Sequence, residues 1–461
     1  MIKIVYLVSF LVFIATSAIA DRKIVCYYGS WAAYRPGKGK FEVSEIEPKL
    51  CTHLIYTFIG VSTEGDVQIL DAWMDLPDGK DGFGKFTRLR QASPDSKIMI
   101  AMGGWNEGSI KYSQVASNPA TRAKFVRNVV QFLQQYNFDG FDLDWEYPNQ
   151  RGGQAADKQN FVALLRELRQ EFDKHGFLLS IASAAAQSSA AKSYIISQVA
   201  QYVHFINLMT YDFNGSWNRH TGLNAPLYSS SKDCADAAVG YWLSQGAPAD
   251  KIILGIPAYG RSFTLSNPSN TGIGAPARGA GTAGPYTREA GMLGYNEICQ
   301  YVKQGWTVRR SDADKTPYAF NGDQWVGYDD VESIAVKAAY INSKNLGGAM
   351  VWSIETDDFS GSCGSQYPLL VALNKDLRGN TPVPTFPPVT TSKPGEATIP
   401  SPSDNICTKE GFARHPSDCT RFYQCIKVVD HYVAYEFRCS AGTVFDPKTN
   451  TCNYRYLVPG C

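Results

Sequence analysis

The sequence predicts an α/β fold: a (β/α)8 TIM barrel with an α+β subdomain inserted between strands 7 and 8, followed by a small disulfide-rich C-terminal β domain. Three observations lead to this prediction. Short apolar runs alternate with longer amphipathic segments over most of the chain. A long interval rich in Tyr, Gly and Thr separates the last two apolar runs, and six cysteines crowd the final 55 residues. Alternation of this kind is typical of parallel sheets with helical crossovers.

The apolar runs are candidate strands, and eight of them favour a closed barrel over an open doubly wound sheet. They are residues 23–28, 53–59, 97–102, 140–145, 178–183, 203–211, 251–257 and 348–352. Helical patterns lie between them, for example at 121–136, 157–174 and 234–245. The interval at about 259–332 is too long for one crossover, so we expect the inserted subdomain there.

The first 20 residues predict a secretory signal peptide. Lys3 supplies a positive start, an apolar run follows, and Ala18-Ile19-Ala20 forms a small-residue cleavage site. A membrane anchor is the alternative, but the apolar run is too short to span a bilayer. We therefore expect a secreted, extracellular protein that does not act at a membrane.

Composition divides the remaining chain. Residues 381–403 are dominated by Pro, Thr and Ser, which predicts an extended linker. The expected domains are a barrel at residues 21–380, including the insertion, and a tail domain at 404–461.

Charge and cysteine usage narrow the function classes. With a formal net charge of +1, the chain lacks the basic excess that binding to nucleic acid or an anionic membrane requires. In a secreted chain the cysteine-rich tail predicts a disulfide framework, whose pairing spacing alone leaves open. No CxxC pair and no histidine at zinc spacing occurs in the sequence, so we expect neither a metal nor another cofactor.

A row of acids marks the fourth predicted strand. Asp142, Asp144 and Glu146 alternate with bulky apolar residues, so on a strand all three share one face. An ordinary core strand avoids such a row, because an unpaired buried charge costs several kcal/mol. Clustered carboxylates also raise one another's pKa, which keeps one of them protonated as a general acid. A solvated strand edge or a calcium site fits less well, since calcium loops favour Gly-broken, Asn-containing spacings.

Other polar and aromatic residues end or follow the predicted strands. Tyr211 and Asp212 end the sixth, Tyr259 and Arg261 follow the seventh, and Trp352 ends the eighth. Barrel enzymes place their chemistry at this rim.

These residues belong to motifs that resemble glycoside hydrolase family 18, the chitinases. The motifs are DGFDLDWE at 139–146, AMGGW at 101–105, MTYD at 209–212, GIPAYGRSF at 255–263 and GGAMVW at 347–352. The resemblance covers nearly all of residues 21–380 and is of the animal endochitinase type. It implies endo-hydrolysis of β-1,4 N-acetylglucosamine linkages in chitin by a retaining, substrate-assisted mechanism.

The resemblance implies a role for each site residue. Glu146 would be the general acid and base, Asp144 would orient the N-acetyl group of the substrate, and Asp142 would share a proton with Asp144. Tyr211 would hydrogen-bond the acetamide. The implied substrate-binding residues are Tyr27, Trp31, Phe58, Gly104, Trp105, Met209, Asp212, Trp217, Tyr259, Arg261, Glu297, Met350 and Trp352. The alternative for the aromatic residues is core packing, and for Arg261 and Glu297 it is a structural ion pair.

The tail cysteine spacing resembles the peritrophin-A chitin-binding domain, carbohydrate-binding module family 14. This resemblance implies that the partners are chitin and chito-oligosaccharides, and we expect a monomer. The implied disulfides are Cys26–Cys51, Cys299–Cys363, Cys407–Cys425, Cys419–Cys461 and Cys439–Cys452, which leaves Cys234 free.

Two other classes of protein remain alternatives. A chitinase-like lectin would keep the barrel and the groove without turnover, but such proteins typically lose the acid at the position of Glu146. A matrix protein attached to chitin through its tail would leave the acid row unexplained.

Overall fold

The computed structural model describes residues 22–379, 407, 409, 411–428, 431–439, 443–447, 451–454, 458 and 460. The chain divides into two compact units, Met1–Val389 and Thr390–Cys461. The signal peptide and the linker fall outside the described residues and stay predictions.

The described secondary structure is as follows. The strands are β1 (Lys23–Gly29), β2 (His53–Val61), β3 (Val67–Ile69), β4 (Lys97–Gly103), β5 (Gly140–Asp144), β6 (Leu178–Ala184), β7 (Phe205–Met209), β8 (Ile252–Pro257), β9 (Tyr259–Leu265), β10 (Ala277–Ala280), β11 (Met292–Gly294), β12 (Thr307–Ser311), β13 (Thr316–Asn321), β14 (Gln324–Gly327), β15 (Gly348–Trp352), β16 (Gly411–Arg414), β17 (Arg421–Val428), β18 (His431–Arg438), β19 (Thr443–Asp446) and β20 (Thr451–Tyr454). The helices are α1 (Ala72–Asp75), α2 (Gly82–Thr87), α3 (Ile110–Ser117), α4 (Pro119–Tyr136), α5 (Asp157–Phe172), α6 (Gln187–Ser193), α7 (Ile196–Tyr202), α8 (Ala235–Ser244), α9 (Tyr295–Lys303), α10 (Val331–Ser343) and α11 (Pro368–Arg378).

Eight parallel strands close into a barrel. They pair in the order β1, β2, β4, β5, β6, β7, β8 and β15, and β15 pairs back with β1. The short strand β3 pairs with the end of β2 in the antiparallel direction. The predicted (β/α)8 barrel is confirmed, with strand ends displaced by at most two residues.

The period-two pattern of β5 separates two cores. Phe141 and Leu143, together with Trp145 just beyond the strand, join the large core between the barrel and its helices. There Phe125 of α4 packs on Phe141, and Phe161 of α5 packs on Trp145. A smaller cluster fills the barrel interior, made mainly of Val25, Tyr27, Ile55, Met99, Ala101, Phe205, Ile253 and Met350. The barrel is a packed core rather than a pore, and the acids lie on its inner side.

The inserted subdomain is also confirmed. Its antiparallel sheet has the order β10-β9-β14-β13-β12, with β11 paired to the other part of β9. Helix α9 belongs to it, and the disulfide Cys299–Cys363 joins this helix to the segment after β15. A second disulfide, Cys26–Cys51, joins β1 to the segment just before β2, and Cys234 is free and buried.

The second unit is a small β domain. It contains the sheet β16-β17-β18 and the hairpin β19–β20, with the disulfide Cys407–Cys425. Cys419 and Cys439 are also disulfide-bonded. Because Cys461 and the side chain of Cys452 lie outside the described part of the chain, the pairings Cys419–Cys461 and Cys439–Cys452 stay predictions.

Candidate active site

The innermost acid, Asp142, is held by donors from three other barrel strands. Its carboxylate accepts hydrogen bonds from Tyr27 Oη (2.7 Å), Ser180 Oγ (2.6 Å) and Asn207 Nδ2 (3.2 Å). Complete burial raises the pKa of Asp142 to about 6, although these three hydrogen bonds act in the opposite direction. The hydrogen bonds of Asp142 go to the other strands, and its proton sharing with Asp144 stays a prediction.

Asp144, the last residue of β5, has the opposite environment. It is buried, and its Oδ1 atom accepts no hydrogen bond. Burial, with the nearby charges of Glu146 and Asp142, raises the pKa of Asp144 well above its ordinary value. A buried oxygen without a donor is costly, and no bond holds it in place. This carboxyl group can therefore turn towards a donor that enters the site.

Glu146 lies two residues beyond the end of β5, whereas the sequence pattern predicts it at the end of the strand itself. Burial raises the pKa of Glu146 to about 7, while Tyr147 and Arg151 lower it and Asp212 raises it. The acid row therefore holds a proton near neutral pH, which general acid catalysis needs.

Two glycines allow the neighbouring strand to approach the acids. Gly103 and Gly104, at the end of β4, have φ angles of 122° and 84°. A Cβ atom at Gly103 would collide with the carbonyl oxygen of Asp144, and one at Gly104 would collide with the ring of Phe58. Both positions need glycine for space as well as for conformation.

Aromatic rings form a wall at the rim of β1, β2 and β15. The rings of Trp31, Phe58 and Trp352 contact one another with centroid separations of 5.7 to 6.2 Å. Tyr27, which bonds Asp142, packs on Trp352 at 5.4 Å. The wall therefore connects to the acid row.

The loop after β7 is tied to the inserted subdomain. Asp212 accepts hydrogen bonds from Tyr259 Oη (2.6 Å) and from Nε and Nη2 of Arg261 (2.7 and 2.6 Å). The Arg261 guanidinium lies 5.3 Å from the centroid of the Trp217 ring. Arg261 is thus an ion-pair partner that also lies beside a candidate platform. Tyr211, next to Asp212, donates to the sulfur of Met350 at 3.9 Å.

Three tryptophans are open to solvent. Trp31, Trp105 and Trp217 are 41%, 58% and 59% exposed, so core packing does not explain them. Met209 is partly buried against the barrel interior.

Some predicted cleft residues are not at the surface. Glu297 is 1% exposed, and its carboxylate accepts hydrogen bonds from the backbone of Tyr286, Thr287 and Gly294. The prediction that it lines the cleft is wrong, because both oxygens are used to hold the insertion together. Tyr27, Tyr259 and Met350 are also buried, so their predicted contact with substrate stays a prediction.

Several residues of the site were not predicted. Ser180 and Asn207, which bond Asp142, are polar residues within apolar strands, and that pattern could have revealed them. Two further exposed rings are Tyr34 and Trp73, at 53% and 63% exposure. Tyr34 follows Trp31 in one short helix, and its hydroxyl donates to Asp71, two residues before Trp73.

A buried acid row that retains a proton, beside flat exposed rings at the C-terminal rim of a barrel, is typical of a glycoside hydrolase. The chain belongs to the glycosyl hydrolases family 18, whose family model matches residues 23–357. The Chitin binding Peritrophin-A domain matches residues 407–461. The protein is accordingly a chitinase with a chitin-binding domain.

Individual relatives agree with this family. The endochitinase of Manduca sexta is 41% identical over 412 residues, which is 85% of this chain and 74% of that protein. The crystal structure of Ostrinia furnacalis Group IV chitinase in complex with allosamidin is 46% identical, with a TM-score of 0.76, and the match covers 78% of this chain and 99% of that one. Human YKL-39, described as a pseudo-chitinase with retained chitooligosaccharide binding properties, is 38% identical with a TM-score of 0.72, covering 77% and 100% of the two chains.

Among the described residues, no helix combines the length and the apolar character that crossing a membrane demands.

Proposed function

We propose that this chitinase is a secreted endo-acting enzyme that cleaves β-1,4 N-acetylglucosamine linkages with retention of configuration. The nucleophile is the substrate's own N-acetyl group. The observation that carries the proposal is the buried Asp144, whose Oδ1 atom has no donor, two residues before Glu146. An acetamide N–H would supply the missing donor for Oδ1. Because that hydrogen bond and the positive ring both favour the charged form, Asp144 would ionise as the ring forms, with its proton passing to the shared position on Asp142.

Each step uses a named group. Glu146 donates its proton to the glycosidic oxygen. The acetamide carbonyl oxygen attacks the anomeric carbon, the bond to the leaving sugar breaks, and an oxazolinium ion forms. Asp144 accepts a hydrogen bond from the acetamide N–H, and the Tyr211 hydroxyl donates one to the acetamide oxygen. Glu146 then removes a proton from a water molecule that attacks the anomeric carbon, which breaks the bond to the acetamide oxygen and restores the N-acetyl group. Trp352 would be the floor beneath the reacting ring.

Product stereochemistry and substrate acetylation test this mechanism together. We expect NMR of the first products from N-acetylglucosamine oligomers to show the β anomer. Because the nucleophile is missing, oligomers of unacetylated glucosamine should be cleaved more slowly by on the order of 10²-fold or more. An initial α anomer, or equal rates on the two substrates, would contradict the proposal.

Binding without turnover is the second candidate, because a pseudo-chitinase of similar fold exists. Retention of Glu146, with burial raising its pKa to about 7, favours turnover. Hydrolysis of a soluble oligomer by the wild-type protein separates the two candidates.

The tail is proposed to hold the enzyme on solid chitin. The second unit is compact by itself and exposes Phe412 (41%). Since tethering raises the local concentration of the enzyme without a new catalytic group, removing residues 381–461 should lower activity on insoluble chitin by about tenfold or more. Activity on soluble tetramers should stay within about twofold. Equal losses on both substrates would show that the tail has another role.

Secretion is supported by the predicted signal peptide and by the disulfides of both units, since disulfides persist in oxidising compartments.

A further inference from the structure

Arg151 covers one face of Trp105, although the two residues belong to loops that follow different strands. The guanidinium carbon lies 3.5 Å from the centroid of the indole ring. One nitrogen, Nη1, donates both to the Trp105 carbonyl oxygen (2.8 Å) and to the Glu146 carbonyl oxygen (3.0 Å). Arg151 thus connects a candidate sugar platform to the main chain of the proposed acid.

The turn that carries Arg151 is firmly built. Asn149, Arg151 and Gly152 have φ angles of 60°, 52° and 93°, which fold the chain back sharply. The buried carboxylate of Asp157 accepts hydrogen bonds from the backbone nitrogen atoms of Asn149 (3.2 Å) and Gln154 (2.7 Å), on either side of the turn. The turn therefore does not depend on the Arg151 side chain, which is itself exposed.

We propose that Arg151 is a positioning residue, which stacks on one face of Trp105 so that the open face of the ring is held ready for a sugar. Trp105 is 58% exposed despite this contact, so part of the ring remains available. A cation over an indole face is attracted by the negative face of the ring, and the two carbonyl bonds fix the direction from which it approaches. Holding the ring before substrate arrives reduces the ordering that binding requires.

The same position brings a positive charge near Glu146. Three groups act on the pKa of this carboxyl besides burial: Arg151 and the Tyr147 hydroxyl lower it, and Asp212 raises it. The charge of Glu146 in turn raises the pKa of Asp144. Since Glu146 must carry its proton to act as an acid, removing the Arg151 charge should extend activity to higher pH.

Two substitutions separate the stacking of Arg151 on Trp105 from the effect of its charge on Glu146. Arg151→Lys keeps the charge but loses the planar stack, so KM for tetramers should rise about fivefold while the alkaline limb of kcat stays where it is. Arg151→Gln loses the charge as well, so KM should rise and the alkaline limb should move up by about 0.5 pH unit. A matched control is Arg169→Gln, since Arg169 of helix α5 pairs with Asp173, just beyond the end of that helix, and this variant should match the wild type.

The inference rests on the proposed role of Glu146, so Glu146→Gln belongs in the same experiment. If Glu146→Gln is fully active, the proposed function fails. If it is inactive while both Arg151 variants keep the wild-type KM and pH profile, only the role of Arg151 fails. If both Arg151 variants lose kcat and thermal stability to the same extent, and the alkaline limb of kcat does not move, the positioning role is also overturned and Arg151 is purely structural.

Discussion

Replacing Glu146 by Gln is expected to lower kcat on N-acetylglucosamine oligomers by about 10³-fold, because the amide cannot donate a proton to the leaving oxygen. The variant should remain folded, since the change removes a buried carboxyl and keeps the side-chain shape. In the wild type, burial raises the pKa of Glu146 to about 7, so kcat should fall as pH rises through that value. Release of a chromophore from soluble oligomers across pH 4 to 9 measures both effects.

The matched control is Glu171→Gln, since Glu171 is a partly exposed glutamate of helix α5 that pairs with Lys174. It should keep the activity of the wild type. Hydrolysis by Glu146→Gln at more than about a tenth of the wild-type rate would assign proton transfer to another group.

Replacing Asp144 by Asn is expected to lower kcat by about 10² to 10³-fold and to stabilise the fold at neutral pH. The loss arises because a neutral amide cannot stabilise the positive oxazolinium ring. The gain arises because Asp144 is a buried carboxyl without a donor on Oδ1, crowded by Asp142 and Glu146. Kinetics on tetramers and thermal unfolding of the same preparations measure the two effects.

The stability gain should depend on pH with a definite sign. The pKa values of all three acids are raised in the folded state, so the row opposes folding least below about pH 4, where the carboxyls are protonated in both states. It destabilises increasingly as pH rises above about 4, and the contributions of Asp142 and Glu146 level off once pH has passed their folded-state pKa values of about 6 and about 7. Because Asp142 and Glu146 remain in the variant, the Tm difference between variant and wild type follows the raised pKa of Asp144 and should grow as pH rises above about 4. A difference that shrinks as pH rises would mean that the row is stabilised by ionisation.

Sequence reasoning worked best where a local pattern has one structural solution. Alternation over residues 140–145 placed the acids on one side of β5 and Phe141 and Leu143 on the other, as the two separate cores show. The prediction for Glu297 was wrong, because an acid in a motif can either bind a sugar or accept hydrogen bonds from backbone nitrogen atoms. Only the contacts with Tyr286, Thr287 and Gly294 distinguish these roles.

By itself, the sequence determined the barrel, its insertion, the cysteine-rich tail and the row of Asp142, Asp144 and Glu146. These depend on periodicity, composition and spacing, which are properties of short segments. Only the tertiary structure decided that Asp142 is held by donors while Asp144 Oδ1 has none, and that Arg151 lies on Trp105. Those contacts join residues far apart in the chain, such as Tyr27 and Asp142 at a separation of 115. Which donors reach a buried carboxylate depends on how the closed barrel brings its strands together. A local sequence pattern does not encode the distance between atoms on different strands.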